Sequence, residues 1–189
     1  MAPRLPAPHA DSAGGIVTTP PTGQIHAPAA DTAWSEPSAL VAAMLNPALI
    51  ASLLSVAAGS YERQRVSGMP WHLSFIVAPM TLHRGTRQAL PANTRTHLST
   101  WVTRNPMLRA GFPRQAKALV MPVQAGLRFA LLHDVLELRS DCLKPRTRLR
   151  AGAPERTELE DILHSARLIG SWMAKNETAA VFASLGVRP

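Results

Sequence analysis

The chain has 189 residues and a formal charge of +8, which suits one domain of ordinary size plus a tail and excludes a large multidomain enzyme. Apolar residues make up 46% and charged residues 17%, enough to bury a core. The single cysteine, Cys142, excludes an intrachain disulfide framework and a thiolate zinc cage, and it fits a reducing, cytoplasmic setting.

Residues 1–33 hold six prolines, with Gly14, Gly15 and Gly23 and almost no large apolar side chain. Such a segment buries too little surface to offset its ordering entropy, so a disordered Pro/Ala-rich leader is expected there. Prolines 3, 6, 8, 20 and 21 interrupt any apolar run, so no secretory signal is expected. The folded domain is expected to span 34–189.

Pro37 to Tyr61 carries no charge. Its length suits a membrane span, but Asn46-Pro47 in the middle is an N-cap followed by a first-turn proline. The stretch therefore reads as a short helix over 37–45 and a longer one over 47–66. Ile50, Leu53, Leu54, Ala57 and Tyr61 form one stripe of the second, as expected of a core helix. Ser67-Gly68-Met69-Pro70 signals a turn. Trp71 to Met80 is short, apolar and partly β-branched, predicting a buried strand or extended core segment. A short helix follows over Thr86–Leu90 and stops at Pro91. The next runs over Arg95–Arg104, capped by Asn93 or Thr94, with Leu98, Trp101 and Val102 on one face.

Residues 107–119 read as a helix, or a helix broken at Pro113. Pro122 opens another to His133, with Val123, Leu127, Ala130 and Leu131 inward and Gln124 and Arg128 outward. Val135–Arg139 alternates like a strand, with Leu136 and Leu138 inward. A turn through Ser140, Asp141, Lys144 and Pro145 leads to a return strand at Thr147–Arg150. Short helices followed by a hairpin are the order of a winged helix-turn-helix. Thr157 and Glu160 form a capping box for a long amphipathic helix. Its apolar face is Leu159, Ile162, Leu163, Ala166, Ile169, Trp172 and Met173. Asn176 ends it, and a last helix over Glu177–Leu185 carries Val181, Phe182 and Leu185 before Gly186. The fold class expected is mainly α (α+β), a helical domain with a short buried strand and a winged-helix-like middle.

Between Arg84 and Arg150 thirteen basic residues face three acids, a surplus of +10, while the rest of the chain carries −2. The whole surplus lies in the middle segment, the footprint of a nucleic-acid or acidic-partner surface. The run KPRTRLR over 144–150 is its sharpest part, and in a wing it would follow a phosphate backbone. Catalytic and metal motifs are missing: seven histidines form no HExxH, and there is no GxSxG, Walker A loop or GxGxxG. Glu160 and Asp161 read as first-turn charges favoured by the helix dipole. No catalytic residue, cofactor site or metal site is expected.

Asn46-Pro47-Ala48 opens a helix; Gly68-Met69-Pro70 precedes the apolar LSFIVAP; Leu82-His83 and Thr86-Arg87-Gln88-Ala89-Leu90-Pro91 follow; Phe182 to Pro189 closes the chain. In this order they resemble the middle component of bacterial three-component ABC-ATPase systems, over about 34–189. Trp71-His72 stands where smaller or apolar residues are expected, and the leader is additional. The resemblance implies a non-enzymatic subunit between an ABC ATPase, related to chromosome-maintenance and repair ATPases, and a third protein with recruitment or effector activity in conflicts with invading DNA. No membrane attachment and no small-molecule substrate are expected, a peripheral membrane protein being a third and weaker reading. Trp172, Val181, Phe182 and Leu185 would supply a protein-docking face, and Arg87 either an interface anchor or a paired helix residue. Gln124, Arg128, Lys144, Arg146, Arg148 and Arg150 would meet DNA or an acidic face of the ATPase. The alternative is a stand-alone winged-helix DNA-binding regulator reading bases through Gln124 and Arg128.

Overall fold

A computed structural model describes residues 45–147 and 157–188. The expected leader, all but the last residue of the helix over 37–45, and Arg148 and Arg150 lie outside the described residues. The rest is mainly α, as expected, with a small antiparallel sheet.

Helix α1 (Pro47–Glu62) starts as its sequence dictates: the Asn46 side chain accepts from the Ala48 N–H at 2.9 Å, and Pro47 fills the first turn. Its burial goes beyond one stripe. Ala51, Ser55, Val56, Ala58 and Ser60 are buried together with Ile50, Leu53, Leu54, Ala57 and Tyr61. A helix whose one charged residue, Glu62, stands at its last position is what a course through the middle of a core requires. None of the helices among the described residues is long and apolar enough to cross a membrane.

Strand β1 (Met69–Pro70) and a 3₁₀ turn (Trp71–Leu73) lead into helix α2 (Ser74–Leu82). This corrects the strand expected over Trp71–Met80. Ile76, Val77, Ala78, Met80, Thr81 and Leu82 are all buried, so the helix is apolar on every side and shows no 3.6-residue period to betray it. Helices α3 (Arg84–Ala89), α4 (Leu98–Arg104) and α5 (Pro106–Ala118) follow. Leu98, Trp101 and Val102 point inward as expected, and α5 passes through Pro113 without a break.

Helix α6 (Val120–Leu132) buries Val123, Gly126 and Ala130. Leu131, expected inward, is exposed; Gly126 takes that share of the interface, because Ile50 of α1 lies against it and leaves no room for a β-carbon. Strands β2 (Leu136–Arg139) and β3 (Cys142–Pro145) form a hairpin with Leu138 opposite Leu143. Ser140 and Asp141, at φ 47° and 64°, make a two-residue turn. The return strand therefore starts at Cys142, not at Thr147, because Ser and Asp suffice for the left-handed conformation. Leu138 is half exposed rather than inward, on an edge strand of the sheet. β1 pairs with the other side of β3, Met69 opposite Leu143, giving the order β1-β3-β2.

Helix α7 (Glu158–Met173) opens with the expected capping box, Glu160 N–H to Thr157 Oγ1 at 3.3 Å and Thr157 N–H to Glu160 Oε2 at 3.2 Å. Leu159 is exposed, contrary to expectation, as it lies in the first turn beyond the core. Helix α8 (Thr178–Ser184) ends with Gly186 at φ 69°, where the Gly186 and Val187 N–H groups donate to Ala183 and Phe182, a Schellman closure.

Candidate functional site

The Leu82-His83 and Thr86-Arg87 pairs have a local physical role. His83 separates α2 from α3, and its Nδ1 accepts from the Thr86 N–H at 3.1 Å, with Thr86 Oγ1 at 2.8 Å. It does for α3 what an Asn or Asp cap would do. One turn on, the Arg87 guanidinium donates to the Thr81 and Leu82 carbonyls at 3.0 and 2.8 Å and to Glu158 Oε1 at 2.8 Å. It thus closes the C-terminal end of α2 and ties it to the first turn of α7. The Arg87 side chain is only 8% exposed, so its fork is engaged within the chain. Beside it, Arg84, Glu158, Asp161 and His164 line a polar depression of about 430 Å³. Among the described residues no three His, Cys, Asp or Glu side chains gather as a metal site.

The residues expected to form a docking face lie mostly in the core. Trp172 is buried, donates from Nε1 to the Thr96 carbonyl at 2.7 Å and meets Trp101 edge to face at 5.5 Å. Val181 and Leu185 are buried too. Phe182 is almost buried, but its ring reaches the wall of an open apolar groove.

That groove, of about 910 Å³, lies between the Trp71–Phe75 segment, α5 and α8. Trp71 meets His72 at 5.6 Å and Phe75 at 5.9 Å, and His72 meets Phe182 at 6.2 Å, so an aromatic cluster lines one side. Pro113, Ala116 and Val120 come from the α5–α6 side, and Ala179 and Val187 from α8 and its C-terminal turn. Lys117 and Arg188 also line it, and no acid does. Periodicity did not reveal this surface. The one signal was Trp71-His72, bulky where smaller residues were expected.

Electrostatics follow the same division. No Asp or Glu occurs between Glu62 and Asp134. Within that run Arg84, Arg95, Arg104, Arg109, Arg114, Lys117 and Arg128 are exposed, while Gln124 is half-buried. The hairpin cations differ: Lys144 Nζ lies 3.7 Å from Glu62, Arg146 3.6 Å from Asp134 and Arg139 3.0 Å from Glu137. Among the described residues, Arg109, Arg114, Lys117 and Arg128 form no ion pair. The unopposed charge therefore sits on α5 and α6 more than on the hairpin.

The fold and surface are those of a mainly α domain with a small sheet and an apolar groove beside a cationic helix. The model of the ABC-three component (ABC-3C) system Middle Component 3 family matches residues 34–189, and the chain belongs to that family. A search of curated proteins found no match to the chain, and neither did one of solved structures.

Proposed function

We propose that this chain is a non-enzymatic coupling subunit that works in the cytoplasm, between an ABC ATPase and a third protein carrying recruitment or effector activity against invading DNA. The observation that supports this reading is family membership over 34–189, which includes every described residue. A middle component needs protein neighbours, and the groove beside α5 offers a surface for one. The polar side chains that looked most distinctive, His83, Thr86, Arg87 and Glu160, are engaged in capping and clamping helices. The test is co-expression of the tagged chain with the ABC ATPase and the third protein encoded beside it. A stoichiometric assembly is expected; no complex, with or without ATP, refutes the reading.

A second reading, a stand-alone DNA-binding regulator, draws on the acid-free run from Arg63 to His133. Exposed Arg128 with Gln124 on α6 would face bases, and Lys144, Arg146, Arg148 and Arg150 would follow phosphates. A sequence-specific footprint from the isolated protein, weakening steeply with salt, would favour it over the adaptor; a flat salt response would reject it.

A further inference from the structure

The groove between the Trp71–Phe75 segment, α5 and α8 presents two features that belong to different kinds of ligand, and its occupant has to satisfy both. Its walls are apolar, with Trp71 39% exposed at the edge of an open cavity. Large apolar surface of that kind, ringed by polar groups, marks an interaction site. Its rim is cationic. Lys117 and Arg188 line it, and a neighbouring depression that shares Pro113 and Gly186 adds Arg109.

Among the described residues, no Asp or Glu side chain offsets these charges from the segments that build the groove. Residues 63–133 and 178–188 contain no Asp or Glu. The nearest acid in sequence, Glu177, is held by Arg65 at 3.1 Å. A nucleic-acid backbone would meet the rim but leave the apolar interior unfilled. An uncharged apolar segment would fill the interior and leave the cations without partners.

We propose that this groove receives an acidic amphipathic segment of a partner protein. Its bulky apolar side chains enter between Phe75 and Phe182, and its carboxylates meet Lys117, Arg109 and Arg188. This mode places the anchor energy in the apolar contacts and the choice of partner in the charges. It rests on the reading of the chain as a coupling subunit, and it explains why Trp71-His72 departs from the smaller residues expected at that turn.

The experiment uses the full chain and overlapping 20-residue peptides that tile the ATPase and third subunit of the same system, with binding read by fluorescence anisotropy. The expected result is binding confined to acidic peptides that carry large apolar residues, weakening as salt is raised. Ala179→Arg, which fills the groove from an exposed position on α8, and Lys117→Glu, which reverses the rim, should each weaken that binding at least tenfold. Both positions are exposed, and circular dichroism checks that both variants fold. Binding of peptides without acids, or binding indifferent to both variants, overturns the proposal. So does a groove taken by a second copy or by duplex DNA, seen as self-association or oligonucleotide binding that Ala179→Arg abolishes. If the intact subunits co-purify with both variants as with the parent, the groove assignment fails and the coupling role stands. If they do not co-purify with the parent, the coupling role itself fails.

Discussion

The backbone of Ala57 occupies the space that a β-carbon on Gly170 would need, so α1 and α7 cross in direct main-chain contact. Both residues are buried, with Ile169 and Trp172 packed alongside. Replacing Gly170 by Ala must push the two longest helices apart. The expected cost is about 3 kcal/mol, at the upper end for overpacking. That outweighs the gain of about 1 kcal/mol that Ala normally brings to a helix interior. Gly111→Ala in α5 is the control, because only Gln115 Nε2 lies near its added methyl, at 3.9 Å. It should be neutral or stabilising by up to about 1 kcal/mol. Urea midpoints at constant slope measure both; similar values for the two variants would disprove the close crossing.

Arg87 separates structure from recognition at one position. With its guanidinium bound to two carbonyls and Glu158 and its side chain nearly buried, Arg87→Ala should destabilise the fold by about 2–3 kcal/mol. Lys keeps the charge but lacks the fork, so Arg87→Lys should recover only part of that. Glu158→Gln should cost under about 1 kcal/mol, because that carboxylate is half exposed. An Arg87→Ala protein as stable as its parent, yet unable to hold its partners, would make this residue an interface anchor instead.

Caps and amphipathic stripes were legible in the chain, and what they share is locality. Asn46-Pro47, Thr157 with Glu160, and Gly186 act within one turn, so each declares itself in the sequence. The helix over Ser74–Leu82 did not, since burial on every side erases the period that distinguishes helix from strand. The return strand was misplaced by five residues because Ser140-Asp141 lacks the glycine that usually marks a tight hairpin. Trp172, Val181 and Leu185 were expected on a docking face, yet an apolar stripe looks the same whether its cover is another helix of the chain or another protein. Only the packing of Trp172 against Trp101 and Thr96 decides between them. The groove itself joins residues from three separated segments, a juxtaposition no local pattern encodes.

Tyr61, the chain's one tyrosine, supplies a pH prediction. Burial raises its phenol above the usual 10.0, with the nearby Arg65 charge partly opposing the shift. The folded state therefore keeps its proton where the unfolded chain has lost it. The stability from this group is complete below pH 10.0 and declines as pH rises from there through the folded value. Unfolding free energies should fall more steeply above pH 10 in the parent than in Tyr61→Phe. In the parent, phenolate absorbance should appear later than in the urea-unfolded chain. Parallel pH profiles for parent and variant would contradict the assignment.

The hairpin turn offers a stabilising test. Ser140 and Asp141 both lie in the left-handed region, at φ 47° and 64°, a conformation that strains most side chains by about 1–2 kcal/mol. Asn-Gly is the pair that this turn prefers. Ser140→Asn with Asp141→Gly should therefore stabilise the domain by about 1 kcal/mol, raising the melting temperature by about 2–4 °C for a chain of this size. Asp141→Val should do the reverse by a similar amount, since a β-branched side chain tolerates positive φ poorly. The effect should reach the groove, because the Trp71 N–H donates to the Asp141 carbonyl at 3.0 Å and β1 pairs with β3. Loosening that turn in Asp141→Val should red-shift the tryptophan emission as Trp71 becomes wetter. Equal melting temperatures for the Gly and Val variants would show that residue 141 does not need the left-handed conformation.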